Sequence, residues 1–368
     1  MPASSTSCRP AIRNSRASLA KDASIPEADR SEGSAHPREV YELLGHQSAE
    51  ARYLAARESG RMHHAWLITG PPGIGKATLA YRIARDRLGG RSLLPDSLDI
   101  PMTDPVAQRV ESQGHGNLFV IRRPYDPKTK KLKTAIPVDE VRKLANFFQN
   151  TASEGEDWRV CIVDSADDLN RNSENAILKL LEEPPMRTLF LLLSSEPGRL
   201  LPTIRSRCLH LPLNGVPEAE LSRWLSSRTD VRPEFQQAAI ALSRGAPGKA
   251  LALVGHVETV LQPLKRLMQS LGNRSGDDMS LAKSLAAAKD ATARALFWDA
   301  LLDVLHAQAV FAATGAWRGP FEPIKAVKSP DAWVRLAETA QSTRDAEDAI
   351  NLDKTAALYD VLGKVRAA

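Results

Sequence analysis

The chain has 368 residues, 43% of them hydrophobic, 25% charged and only 5% aromatic, which is the composition of a soluble globular protein. That length allows two or three domains with substantial cores, while the longest apolar run, Leu189 to Leu193, is far too short to cross a bilayer. No charged start followed by an apolar stretch marks a secretory signal, and the three cysteines (Cys8, Cys161, Cys208) form neither a disulfide framework nor a metal knuckle. A reduced, cytoplasmic setting is expected. A formal charge of +5 and a pI near 9.1 permit contact with nucleic acid without requiring it.

Residues 1 to 36 are rich in Ser, Ala, Arg and Pro without sustained apolar periodicity. They read as a disordered tail, or as sequence upstream of the true start. A helix is expected around Ser48 to Glu58, ended by Gly60, and Ala65 to Thr69 reads as a short buried strand. A helix follows from Thr78 to Leu88. Further strands are expected at Asn117 to Ile121, Arg159 to Asp164, Thr188 to Ser194 and Cys208 to Leu211, with helices at Val138 to Asn150 and Ser173 to Glu183 between them. Strands alternating with helices predict a parallel α/β sheet over residues 37–213.

Strand signals stop after Leu213. Pro217 to Ser227 and Pro233 to Arg244 read as helices of a small lid over residues 214–256, and residues 257–368 read as helical throughout. One of those helices brings Leu296, Ala300, Leu301, Val304 and Leu305 together, another runs from Ala332 to Thr339, and the last groups Leu358, Val361, Leu362 and Val365.

The stretch GPPGIGKATLA carries the chemistry. Gly70, Gly73, Gly75 and Lys76 follow a strand and open a helix, as a phosphate-gripping loop must. Glycines let backbone N–H groups converge on phosphate oxygens, and Lys76 reaches the terminal phosphates. The position after the lysine should carry a magnesium-binding hydroxyl, but it is Ala77. Thr78 does not replace it, because one residue along a helix turns the side chain by about 100°. The strand Val160 to Val163 ends in Asp164, a carboxylate suited to magnesium through water. The next residue, where a motor needs a glutamate to polarise water, is Ser165, and a serine is a poor general base. Asp167 and Asp168 are expected to start or cap the following turn.

GRMHHAWLITGPPGIGKATLA (60–80), IPVDEVRKL (136–144), NSENAILKLLEEPP (172–185) and SSEPGRLLPTIRSRC (194–208) together resemble bacterial clamp-loader subunits of the AAA+ family. They are nearer the delta-prime family of DNA polymerase III than the ATP-hydrolysing gamma/tau family. The likeness covers about 150 residues in the family's order, with a weaker one at INLDKTAAL (350–358). It implies a RecA-like AAA+ P-loop domain, a helical lid and a C-terminal collar that carries oligomerisation. It also implies a subunit of a polymerase holoenzyme without ATPase activity of its own. The implied partners are gamma/tau and delta, and indirectly the sliding clamp and primer-template DNA.

Residue roles carried by the resemblance follow. Arg207, in Ser206-Arg207-Cys208, is implied to act in trans as an arginine finger on a neighbour's ATP, where a planar guanidinium neutralises developing phosphoryl charge. The other reading is a surface arginine closing an ion pair. Arg205 occupies an ordinary position, and Cys208 reads as a small buried hydrophobe. Ser194–Ser195 is either a polar sensor of the terminal phosphate or a serine pair satisfying backbone at a strand end. The lid pattern G-x-x-R-x-A-L appears as Gly245 to Leu251, with Gly248 in place of the arginine and Lys249 beside it.

Ala77, Ser165 and Gly248 argue together against the competing reading, an ATP-hydrolysing motor of the gamma/tau kind. No cofactor is required, and the surviving cradle (Gly70, Gly73, Gly75, Lys76, Thr78, Asp164) leaves weak ATP or ADP binding open. No cysteine lies between Lys76 and Cys161, so the four-cysteine zinc insertion of many relatives is absent. His63, His64 and His115 lack partners at ligand spacing and read as packing or surface residues. The run Lys128 to Lys133, in the segment replacing the zinc insertion, reads as a solvated hairpin tip.

Overall fold

The computed structural model describes residues 26–30, 34–150, 158–271, 278–287, 291–324, 329–350 and 352–367. Its centre is a parallel sheet of five strands: β1 (Ala65–Thr69), β2 (Leu118–Ile121), β5 (Arg159–Val163), β6 (Thr188–Ser194) and β7 (Leu209–Pro212), in the order β2-β5-β6-β1-β7. A short antiparallel ribbon, β3 (Tyr125–Asp126) with β4 (Lys131–Leu132), stands beside it. Every residue of β1 and β6 is buried, as strands covered on both faces must be.

Alternation along those strands sorts side chains between two cores. Trp66, Ile68, Leu189, Leu191 and Leu193 pack with α1 (Gln47–Glu58) and α2 (Lys76–Arg87). Leu67, Phe190 and Leu192 face the opposite way, onto α4 (Val138–Asn150) and α5 (Arg171–Glu182). The parallel α/β sheet expected from the motifs is present. With β5, β6 and β1 adjacent, the strand ends carrying Asp164, Ser194 and the glycine loop lie side by side at the carboxyl edge of the sheet. Ligands of open α/β sheets bind at that edge.

The segment Arg91 to Leu132 holds a helix the periodicity did not suggest, α3 (Pro105–Glu111). Its start signal was an Asp-Pro pair: Asp104 Oδ1 accepts from the amides of Val106 (2.8 Å) and Ala107 (3.0 Å). Lys128 to Lys130 form the exposed tip of the β3–β4 ribbon, where a hairpin tip was expected.

The disordered-tail reading of residues 1–36 needs correction for the part that is described. Residues 26–30 and 34–36 are held by charge rather than apolar periodicity, which is why the pattern gave no signal. Arg38 forks onto Glu27 (3.0 and 2.9 Å), and Arg122 Nη1 donates to both oxygens of Asp29 (2.7 and 2.9 Å). His36 is fully buried with Nε2 3.2 Å from Asp29 Oδ1. Residues 1–25 and 31–33 lie outside the described residues.

After β7 the chain is helical: α6 (Pro202–Arg205) precedes that strand, and α7 (Glu218–Ser226), α8 (Pro233–Ser243) and α9 (Pro247–Gly255) follow it. Next come α10 (Gln262–Leu271), α11 (Asp278–Ala287), α12 (Ala291–Thr314), α13 (Pro330–Ile350) and α14 (Lys354–Ala367). Lid and bundle do not have separate cores. Leu221, Phe235 and Leu253 of α7 to α9 belong to the same apolar cluster as Leu301, Trp333 and Leu362. The break between cores falls near Leu213, which packs with the sheet, and Val216, which packs with the helices.

α12 alone among the described helices has the length and apolar composition to cross a membrane, but Leu296, Phe297, Trp298, Leu301 and Leu305 are buried inside the bundle. A core helix accounts for it. Its buried charge, Arg294, forks onto Glu347 of α13 (2.6 and 2.5 Å) and donates to the Lys354 carbonyl (2.8 Å), tying three helices together.

Candidate nucleotide site and the Arg207 edge

The loop between β1 and α2 has the conformation its glycines allow, with Gly70, Gly73 and Gly75 all at positive φ. Lys76 opens α2 but turns back into the loop. Its Nζ donates to the carbonyls of Gly70 (2.8 Å) and Pro71 (3.0 Å) and to Ser195 Oγ (2.8 Å). Burial pulls the ammonium below the ordinary lysine value, and the carboxylates of Asp164 and Asp167 oppose that shift. Ala77 and Thr78 follow within the first turn of α2, so the methyl of Ala77 stands where a metal-binding hydroxyl would be.

The first turn of α9 touches the loop. The Gly248 amide at the start of α9 donates to the Gly73 carbonyl at 2.8 Å. A Cβ on Gly73 would sit 2.7 Å from the Lys249 nitrogen, and one on Gly248 would sit 2.9 Å from the Gly73 oxygen. The backbones touch because neither residue has a side chain, so Gly248, at the position where the resemblance implies an arginine, makes this approach possible. Lys249 points away from the loop: its Nζ pairs with Asp303 Oδ2 of α12 (3.1 Å), whose Oδ1 takes Arg244 Nη2 (2.5 Å).

Asp164 lies at the end of β5. Burial, with the Asp29 and Asp168 carboxylates adding to it, pushes its carboxyl up to about 7 against the opposing charges of Lys76 and Arg122. Ser165, in the place of a catalytic glutamate, donates to Asp167 Oδ2 (3.0 Å) and caps the 3-10 turn Ala166–Asp168.

Asp167 sits in that turn, which Ser165 and not Asp167 caps, and its carboxylate reaches the end of β6. Its Oδ1 accepts from Ser194 Oγ (2.5 Å), and its Oδ2 accepts from the Ser195 amide (2.6 Å). The serine pair divides its work: Ser194 is buried and holds the strand end, whereas Ser195 reaches Lys76. Asp168 takes Arg123 Nε at 3.1 Å.

Arg207 stands away from this site, after α6. Its Nη1 donates to the Thr203 carbonyl (3.1 Å) and its Nη2 pairs with Glu182 Oε1 of α5 (2.8 Å). Its side chain is 36% exposed, and Arg205 two residues earlier is exposed. Cys208 packs beneath, its thiol pushed up to about 12 by burial, so it is no nucleophile at neutral pH. His63 and His64 stack on each other, with ring nitrogens on the carbonyls of Ala65 (2.8 Å) and Leu181 (3.1 Å). His115 Nδ1 accepts from the Asn117 amide (3.2 Å).

Sequence reasoning missed Glu182, Asp303 and the Asp29–Arg122 pair. Asp303 and the Asp29–Arg122 pair come from distant chain segments and left no local signal. Glu182 did leave one: a carboxylate in the last turn of a helix faces the negative end of the dipole and needs a reason to be there.

Residues 45–217 match the family described as DNA polymerase III, delta subunit. A Pseudomonas aeruginosa protein named DNA polymerase III subunit delta' is 36% identical over 195 residues, 52% of this chain and 56% of the relative. The Escherichia coli protein of that name is 34% identical over 202 residues, 55% of this chain and 58% of the relative. A Buchnera aphidicola protein named DNA polymerase III subunit gamma is 34% identical over 169 residues, 45% of this chain and 42% of the relative. The chain thus spans about half the length of the curated relatives it matches. Residues 45–217, which carry the phosphate loop, the acidic strand and the Ser-Arg-Cys edge on one parallel sheet, are thus similar to the family described as DNA polymerase III, delta subunit.

Proposed function

We propose that the chain is a delta-prime-type clamp-loader subunit that does not hydrolyse ATP and serves a neighbour instead. It works in the cytoplasm beside gamma/tau and delta, and through them it acts on the sliding clamp at primer-template DNA. Arg207 is its catalytic contribution, given in trans, and the helices from Val257 onward form its collar. The observation that supports this reading best is the Gly73–Gly248 contact over a loop whose Lys76 is already bonded to Ser195 and to two loop carbonyls. A motor must open its lid to exchange nucleotide and must hold magnesium through a hydroxyl. Here the lid shares the bundle's core and position 77 carries a methyl. Binding of ATP or ADP is then weak, since it requires Gly248 to leave Gly73. ATP turnover of the isolated chain tests the reading: background rates are expected, unchanged by Lys76→Ala. A turnover that Lys76→Ala abolishes, in a preparation free of other ATPases, would sink it.

A further inference from the structure

The edge that carries Arg207 is bracketed by one helix. At the N-terminal end of α5, the buried Glu174 Oε1 accepts from the Leu201 amide (3.4 Å), just ahead of α6. At its C-terminal end, Glu182 Oε1 takes Arg207 Nη2 at 2.8 Å. The Thr203 carbonyl, one turn back, takes Nη1 at 3.1 Å. The guanidinium is thus held at two points, one charged and one neutral, with both ends of the ion pair still reaching solvent at 36% and 43% exposure.

Glu182 occupies an unfavourable place. The last turn of a helix prefers cations, yet α5 ends in Glu182 followed by Glu183. Arg207 offsets that local negative potential. An exposed pair of this kind is weak and exchangeable. A phosphate group offers a higher charge density and a fork-matching set of oxygens, so it outcompetes a single half-exposed carboxylate for the guanidinium.

We propose that Glu182 is a positioning residue for Arg207: it keeps the arginine extended and ready in the unengaged subunit, then releases it to the neighbour's phosphates. This rests on the trans role of Arg207. Without Glu182 the side chain must be ordered at the moment of reaction, which costs rotamer freedom and misplaces the fork. The loss falls on the chemical step and not on substrate affinity.

The test uses the reconstituted loader with clamp and primed DNA, and measures kcat and KM for ATP in complexes shown by gel filtration to be fully assembled. Glu182→Ala is expected to lower kcat by less than Arg207→Ala does, with KM unchanged. Glu182→Gln, which keeps an acceptor oxygen, should recover part of the loss. In an Arg207→Ala background Glu182→Ala should cost nothing further. Wild-type kcat for Glu182→Ala beside a slow Arg207→Ala overturns the positioning role and leaves the finger standing. An equal loss in both backgrounds overturns it too, since Glu182 would then act other than through Arg207. Full rate for Arg207→Ala removes the trans role itself. If neither Glu182 variant assembles, the residue is a structural strut and the proposal fails.

Discussion

The phosphate loop and the Arg207 edge lie on one domain and have opposite characters. At the loop the functional groups are bonded within the chain: Lys76 bonds to loop carbonyls and Ser195, Gly73 accepts from the Gly248 amide, and the Asp164 carboxyl is pushed up by burial. At the edge, among the described residues, the cation is held by a half-exposed carboxylate and one carbonyl, and it remains partly open to solvent. The difference teaches where the chemistry went. Under the proposed function, a domain with a phosphate loop hydrolyses nothing itself and offers its outward cation to a neighbour.

Removing the outward group should have the largest effect. Arg207→Ala is expected to slow hydrolysis at the adjacent site by on the order of a thousandfold, with less loss for a whole complex whose other sites keep their own fingers. Arg207→Lys should rescue poorly, because an ammonium cannot reproduce the fork. Arg205→Ala is the control. Folding should barely move in any of them, since exposed substitutions shift stability by about 0.5 kcal/mol or less. Clamp- and DNA-stimulated ATPase of assembled loader reads this out, and a wild-type rate for Arg207→Ala would erase the contrast between the two regions.

Next in size comes the support behind both regions, the helical bundle. Glu347→Ala strands the buried Arg294 and should cost about 3–5 kcal/mol in denaturant unfolding. Because lid and bundle share one core, the loss should loosen α7 to α9 as well. A destabilisation confined to α12–α14, read by hydrogen exchange, would mean that the two are less coupled than their packing indicates.

The inward region is tested more gently. Gly73→Ala puts a methyl 2.7 Å from the Lys249 nitrogen at a φ of +75°, and strain of this kind is worth about 1–3 kcal/mol. The Gly248 amide should then exchange faster with solvent while the sheet amides keep their protection. Unchanged exchange at Gly248 would show that the contact contributes nothing.

The smallest expected effect depends on pH. The Asp164 carboxyl titrates near 7 in the folded chain, well above the unfolded value of about 4. The unfolded state therefore binds fewer protons between those values. The stability that protonation gives is complete below about pH 4 and is lost as pH rises through 7. Asp164→Asn should unfold at a higher temperature than the parent at pH 8 and at nearly the same temperature at pH 4. If the variant keeps the parent's pH slope, Asp164 is not its source.

The parallel sheet and the functional motifs were legible because they are local. Continuous apolar strands, Gly70 to Lys76 and Ser206 to Cys208 each declare themselves within a few residues, and so do the losses at positions 77 and 165. The sequence by itself thus determined that the loop lacks a metal-binding hydroxyl and a catalytic carboxylate. Pairings between distant segments were decided by the tertiary structure. Asp29 finding Arg122 and Glu182 finding Arg207 need chain segments that only folding brings together. The same holds for Gly248, which reads in sequence as a missing arginine. Only in space does it become a surface that Gly73 can touch, because two backbones approach to hydrogen-bond distance where no Cβ intervenes.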